Sequence, residues 1–303
     1  MKRPEPGEPL GVLGETLSSP QNALVKRAAS LRQRKFRERE GAFLVEGADL
    51  VVAGLAAGHR PQMVFVRAER AQELTAALGL AVRAAGGPGA AAPGPTVYPV
   101  SERVAARLGT LESPADVLAV FALPARRPLN EVLDAAAGPL VVYADGIADP
   151  GNMGTLLRAA VAFGAAALAT APGSTDLYGP KTLRASVGAV FGLPLLPDVE
   201  LGVLVQQLHI AHVYGLAAHE GLPLAEAGLE RPAVLVVGAE RPGLSPQALA
   251  HVTQLVTIPL APRVARVIES LNAGVAGAIA LYELTRLPAA TSAPAAPPAG
   301  ADH

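Results

Sequence analysis

Six short apolar runs alternate with helical stretches through the second half of this 303-residue chain: Leu140–Ala144, Ala166–Thr170, Leu193–Leu196, Val213–Ala217, Ala233–Val237 and Leu255–Ile258. Runs that are apolar throughout, rather than at every second position, belong to strands buried on both faces. Joined by helices, they specify a mainly parallel sheet covered on both sides, because parallel neighbours need a crossover and a helix supplies it. Half of the residues are hydrophobic, but there is no Trp and aromatics are only 4%, so the core must be built largely from small side chains.

No apolar run reaches the roughly 18–20 residues that a bilayer span needs. Ala273–Leu284 comes nearest, but it carries Glu283 and is followed by Arg286. The opening MKRPEPGEPL lacks the apolar stretch of a signal peptide. Absence of cysteine excludes disulfides, thiolate metal sites and a Cys nucleophile. The expectation is a cytoplasmic protein without a membrane partner.

The chain divides by composition. Residues 1–15 are rich in Pro, Gly and Glu and are expected to be a disordered tail. Residues 16–123 read as a compact α/β module. A helix is expected from Ser19-Pro20, with serine as cap, proline at the first helical position and Leu24, Ala28 and Leu31 on one face. Phe43–Val45 and Met63–Val66 read as strands around a helix near Asp49–Ala57, and Tyr98–Val100 and Val117–Leu123 flank a helix near Glu102–Leu108. Ala84–Pro95 has no amphipathic period and reads as a flexible insertion. Residues 124–138 form a Pro/Arg-containing linker, 139–286 the parallel-sheet domain, and 287–303 an Ala/Pro tail expected to be disordered. A long last helix is expected over about Glu269–Leu284.

The net charge of −1 says nothing of a polyanionic partner, but its distribution does. Lys26, Arg27, Arg32, Arg34, Lys35, Arg37 and Arg39 crowd one stretch, opposed only by Glu38 and Glu40. Such a stripe either tracks the phosphates of a nucleic acid or is a solvated helix face.

Three segments carry the chemistry. In the first, Asp145-Gly146 ends a strand and Asp149-Pro150-Gly151-Asn152 turns into a helix that Asp149 or Asn152 can cap. Arg158 follows within two turns; a cation there opposes the helix dipole, so it does not stabilise the helix. An RNA phosphate would satisfy it; an ordinary surface arginine is the plainer reading. In the second, Gly238-Ala239-Glu240 follows a strand directly, where open α/β sheets bind ligands. In the third, Ile258-Pro259 leads to Glu269-Ser270-Leu271-Asn272, of which Ser270 or Asn272 can cap the last helix. Gly179-Pro180-Lys181-Thr182 lacks the spacing of a phosphate-binding loop. His209, His212 and His219 with Glu220 straddle a helix-to-strand change and share no face, so no metal site is expected.

Taken in order, ADPGNMGTLLRAAVAFGA from Ala148, VLVVGAERPGLS from Val234 and VTIPLAPRVARVIESLNAGVAGAIALYE from Val256 closely resemble the motifs of the SpoU/TrmH family, SPOUT-superfamily RNA ribose 2′-O-methyltransferases. Arg184-Ala185-Ser186-Val187-Gly188 resembles the family's Arg-Ser-x-Gly segment. The N-terminal Ser19-Pro20-Gln21-Asn22 and Phe43-Leu44-Val45-Glu46-Gly47 resemble its L30e-like substrate-binding domain. The resemblance implies an α/β protein whose C-terminal, mainly parallel-sheet domain holds a deep trefoil knot, preceded by a smaller L30e-like α/β domain. It implies a homodimer that binds S-adenosylmethionine through Gly238, Ile258 and Leu271. Asn152, Arg158, Glu240, Ser270 and Asn272 would be its active-site polar set. Lys26, Arg27, Arg32, Arg34, Lys35 and Arg37 would contact RNA, with 23S rRNA preferred over tRNA. The sequence departs from the family at Ala239, usually Asn, at Ala273, often Val, and in a four-residue insertion at Arg263–Arg266. These departures leave a second reading open: a non-catalytic RNA-binding or ribosome-assembly protein on the same scaffold. A guanidinium gives up its proton too reluctantly to act as a base. Arg158 is therefore expected to clamp phosphate and stabilise charge developing on the ribose oxygen.

Overall fold

A computed structural model describes residues 11–84, 95–125, 128, 139–261 and 269–286. The expected insertion at Arg263–Arg266, most of the insertion at 84–95, residues 1–10 of the N-terminal tail, the linker apart from 124, 125 and 128, and the C-terminal tail from 287 lie outside the described residues.

In the N-terminal part the order is β1 (Val12–Leu13), α1 (Ala23–Ser30), α2 (Arg34–Glu40), β2 (Ala42–Glu46), α3 (Ala48–Ala56), β3 (Pro61–Arg67), α4 (Ala71–Ala84), β4 (Thr96–Val100), α5 (Glu102–Leu108) and β5 (Val117–Ala122). The strands lie in the order β1-β4-β3-β5-β2. β1, β4 and β3 run parallel, while β5 is antiparallel to both β3 and β2. β1 falls inside the stretch expected to be a disordered tail; Val12 pairs with Thr96 and Leu13 with Val97, adding a parallel edge.

The first helix starts at Ala23 and not at Pro20. The cap is Asn22, whose side-chain oxygen accepts from Leu24 N at 2.8 Å, whereas Ser19 Oγ accepts only from Gln21 N. The basic stretch is also not one helix. α1 stops at Ser30, whose hydroxyl donates to Arg27 O, and α2 runs separately to Gly41, which closes it in the left-handed conformation at φ 58°.

The C-terminal part adds β6 (Leu140–Asp145), α6 (Pro150–Ala162), β7 (Ala167–Thr170), α7 (Pro180–Ser186), β8 (Leu195–Leu196), α8 (Leu201–Leu208), β9 (His212–Ala217), β10 (Leu222–Pro223), β11 (Ala233–Gly238), α9 (Pro246–Leu249), β12 (Gln254–Thr257) and α10 (Ala273–Arg286). All pairs in this sheet are parallel, in the order β10-β12-β9-β11-β6-β7-β8. Its central strands β6 and β11 are buried at every residue, as continuous apolar runs require. One face packs α6 and α10 through Leu156, Leu157, Ala280 and Leu284; the other packs α8 through Leu201 and Leu204.

α10 begins four positions later than expected. Asn272 Oδ1 accepts from Gly274 N and Val275 N at 3.0 and 3.3 Å, so Asn272, and not Ser270, is the cap. Small residues let α10 lie close on α6: a Cβ on Gly274 would stand 2.8 Å from Thr155 Cβ and 3.0 Å from Asn152 O.

The two parts share a core. Phe43 and Phe121 of the N-terminal sheet meet Tyr178 and Phe191 of the second part, with ring centroids 4.9 Å apart for Phe43–Tyr178 and 5.1 Å for Phe121–Phe191. Burial, and next the Asp176 carboxylate, push the Tyr178 hydroxyl well above the usual phenol range.

Candidate active site

The polar residues of the second half converge at the C-terminal ends of β6 and β11. Asp149 caps α6, its Oδ1 accepting from Asn152 N at 2.8 Å, and Pro150 fills the first helical position. This leaves the Asn152 side chain free to turn toward the strand ends. Its Nδ2 donates to Glu240 Oε1 at 2.6 Å. Asn272 Nδ2 donates to Asn152 Oδ1 at 2.6 Å and to Glu240 Oε1 at 3.2 Å. Three residues from three separate segments thus close a hydrogen-bonded ring around one carboxylate oxygen. Among the described residues Glu240 Oε2 has no partner, so it is available to an incoming hydroxyl.

A residue that sequence reasoning left without a role fixes the loop carrying Glu240. Asp145, 5% exposed at the end of β6, accepts from Ser245 N at 2.6 Å and Ser245 Oγ at 3.0 Å. Charge-assisted bonds of this kind are among the stronger polar contacts. The signal was present in Asp145-Gly146 at a strand end, but its partner lies 100 residues on.

The ring borders a cavity of about 540 Å³ lined by Ile147, Asp149, Asn152, Glu240, Ser270 and Asn272. A narrower cleft of about 90 Å³ adjoins it, sharing Ala239, Glu240, Ser270, Leu271 and Ala273. Gly238, Ile258 and Leu271 all line this cleft, together with Leu216 and Val237. Gly238 permits the close turn there: a Cβ would come within 2.5 Å of the Gly243 carbonyl. The main chain of Ala239, Leu260 and Leu271 belongs to neither sheet nor helix, leaving polar groups beside an apolar slot. An apolar slot edged by free main chain and opening on a polar cavity fits a flat heterocycle joined to a charged, polar tail. S-adenosylmethionine has that form.

Arg158 stands apart. It is exposed on α6, lines neither cavity and has no partner among the described residues. Six residues beyond Asn152 is about 600° of helix rotation and about 9 Å of rise, which turns it away from the ring of its own chain. Ser270 is exposed at the rim of both cavities and makes no hydrogen bond with the ring.

The basic stretch is used differently along its length. Arg37 is 4% exposed; it donates to Leu31 O at 2.7 Å and pairs with Asp176 of the second part. Arg34 pairs with Glu38 at 2.7 Å and with Asp198. Arg32 donates to Gly109 O at 3.0 Å, and Arg27 to Glu40 and Gln62 at 3.2 and 3.4 Å. Lys26 and Lys35 are exposed, the latter 4.9 Å from the Phe36 ring centre. Arg34 and Arg37 thus bridge the two parts. They border a further cavity of about 1080 Å³ walled by Tyr178, Phe191, Leu195 and Pro197. This cavity shares no lining residue with the cavity and cleft at the polar ring.

Residues 22–119 match the model of the MRM3-like substrate binding domain, and residues 139–282 that of the SpoU rRNA Methylase family. A TrmH-family protein from Porphyromonas gingivalis has 33% identity and a TM-score of 0.69, over 88% of this chain and 99% of that one. The SpoU methyltransferase AviRb from Streptomyces viridochromogenes, in complex with the cofactor AdoMet, has 26% identity and a TM-score of 0.73, over 88% and 98%. The 23S rRNA (guanosine(2553)-2′-O)-methyltransferase RlmP of Bacillus subtilis is 29% identical over 88% of this chain and 98% of its own length. A parallel sheet with an Asn–Glu–Asn ring at its strand ends, matched over nearly its whole length by such proteins, places this chain in the SpoU/TrmH family of rRNA and tRNA methyltransferases.

Proposed function

We propose that this protein transfers a methyl group from S-adenosylmethionine to a ribose 2′-hydroxyl of structured RNA, with 23S rRNA as the substrate. The observation that carries the reading is the ring of Asn152, Glu240 and Asn272 beside the cleft lined by Gly238, Ile258 and Leu271. A complete ring also argues against a purely RNA-binding role, for which three mutually fixed polar side chains beside an apolar cleft have no use. When bound, S-adenosylmethionine supplies a methyl group activated by a positive sulfur. Gly238, Ile258 and Leu271 would hold it against apolar walls. Asn152 and Asn272 fix the Glu240 carboxylate, leaving Oε2 to accept a hydrogen bond from the ribose hydroxyl, orient its oxygen and take its proton as the oxygen–methyl bond forms and the sulfur–methyl bond breaks. Preorganisation of this kind, with polar groups locked before substrate arrives, supplies rate through positioning. Ala239 and Ala273 line the same cavities, so the departures from the family pattern fall at the cofactor's edge and leave the ring intact. The knotted topology implied by the resemblance belongs to this reading, as does action in the cytoplasm.

Labelled methyl transfer to unmodified rRNA and tRNA, followed by mapping of alkali-resistant linkages, tests it. Label is expected on a ribose of 23S rRNA; label on a base overturns the ribose assignment, and label on tRNA alone overturns the substrate.

The reading includes a homodimer. Val275, Ile279 and Tyr282 recur at spacings of four and three along α10 and are 44%, 37% and 50% exposed. Tyr282 meets Phe163, at the end of the adjoining α6, with ring centroids 5.8 Å apart, and Val161 of α6 is also exposed. An exposed apolar face of this kind is a surface that a second copy covers. Ile279→Asp is expected to give a monomer in analytical ultracentrifugation; an unchanged dimer would move the interface elsewhere.

A further inference from the structure

The Arg-Ala-Ser-Val-Gly segment resembles a signature of the methyltransferase half, yet its residues stand outside the polar ring and its cavities. Its contacts point to the other half of the molecule. Arg184 Nη1 donates to Thr110 Oγ1 at 2.6 Å and lies 3.5 Å from Glu46 Oε2. Thr110 Oγ1 in turn donates to Glu46 Oε2 at 2.8 Å, and Thr110 N to both carboxylate oxygens at 3.0 and 3.1 Å. The Glu46 side chain is only 6% exposed, so its charge is satisfied almost wholly by this set. Gly109 makes room for it, since a Cβ would stand 2.3 Å from Glu46 Oε1, and Arg32 holds Gly109 O from the far side. The two sequence signatures, Phe43–Gly47 and Arg184–Gly188, therefore meet.

The segment is fastened again four residues on. A Cβ on Gly188 would lie 2.5 Å from that of Ala53 on α3, and Phe191 enters the aromatic cluster. Between the fastenings Val187 is held at φ 48°, in the left-handed region, and the residue is 61% exposed. A β-branched residue there is strained and persists only where its surroundings fix the backbone on both sides. α7 also lies directly against α6: a Cβ on Gly154 would be 2.3 Å from Ala185 Cβ, two residues from Asn152.

We propose that Glu46, Thr110 and Arg184 form a positioning joint. Through it the N-terminal domain sets α7, and α7 sets α6 with Asn152, so that RNA held by the first domain reaches the ring in one register. Arg184 is a positioning residue and touches neither substrate nor cofactor. The proposal rests on the methyl-transfer reading above, and its test has an arm that does not.

In the full-length protein, Arg184→Ala and Thr110→Val are expected to speed amide exchange together at 109–111 and at 181–188. Single-turnover methyl transfer at saturating RNA is expected to fall roughly tenfold, as small misplacements do. Affinities for S-adenosylmethionine and RNA stay unchanged, and Arg184→Lys recovers part of the rate. Exchange confined to one side, or transfer that falls only with lost affinity, overturns the joint. Thr110→Val is nearly isosteric and carries the test if Arg184→Ala does not fold. If the wild type transfers no methyl group, the functional reading falls while the exchange arm still decides the joint.

Discussion

Arg158→Ala is expected to lower methyl transfer by about 10²–10³-fold, the cost of removing one group that stabilises developing charge, while S-adenosylmethionine binding measured by calorimetry stays intact. The residue is exposed, unpartnered among the described residues, and about 120° around α6 from Asn152. An arginine without a structural partner contributes little to folding, so its loss separates chemistry from stability. Its position also predicts how it acts. If the apolar face of α6 and α10 pairs two copies, Arg158 serves the ring of the other subunit. Mixing the inactive Arg158→Ala and Asn152→Ala proteins is then expected to restore about a quarter of wild-type activity, because half of the dimers carry one intact site. No recovery on mixing would assign Arg158 to its own chain's site, and near-normal transfer by Arg158→Ala would remove it from the mechanism.

The largest effect on stability is expected at Phe43. Its ring is 2% exposed and contacts Phe121, Tyr178 and Phe191 with centroids 6.0, 4.9 and 5.9 Å away. Phe43→Ala should cost about 3–5 kcal/mol, transfer free energy plus the cavity left behind. The cavity would open at the seam between the two parts, where partners come from both. Denaturant unfolding is therefore expected to change from one transition to two, with the N-terminal part melting first. A single transition at the wild-type midpoint would mean that the seam contributes no coupling.

The sheet of the second half was legible because its strands are apolar at every position, and β11 and β6 coincide with the expected runs to within one residue. α5 matches its expected span, Glu102–Leu108, with Ser101 as cap. β1 and β10 were not legible: two-residue strands carry no period, and their pairing is decided by the partner strand. Helix starts moved with their caps: Asn22, which the expectation of Ser19 passed over, caps the first helix, and Asn272 rather than Ser270 caps the last. The polar ring follows from residues that the motifs singled out. The fate of the basic stretch does not, because Asp198 and Asp176 stand 164 and 139 residues from Arg34 and Arg37. Local sequence shows a charge, and only the fold shows what has already neutralised it.

The strand order has a consequence for the nascent chain. β9 lies between β11 and β12, and both are made after it. Until Gln254–Thr257 leave the ribosome, β9 presents an apolar strand with at least one open edge, the kind of surface that recruits other chains. Polypeptides terminated before residue 254 should therefore aggregate rather than accumulate as a smaller folded core.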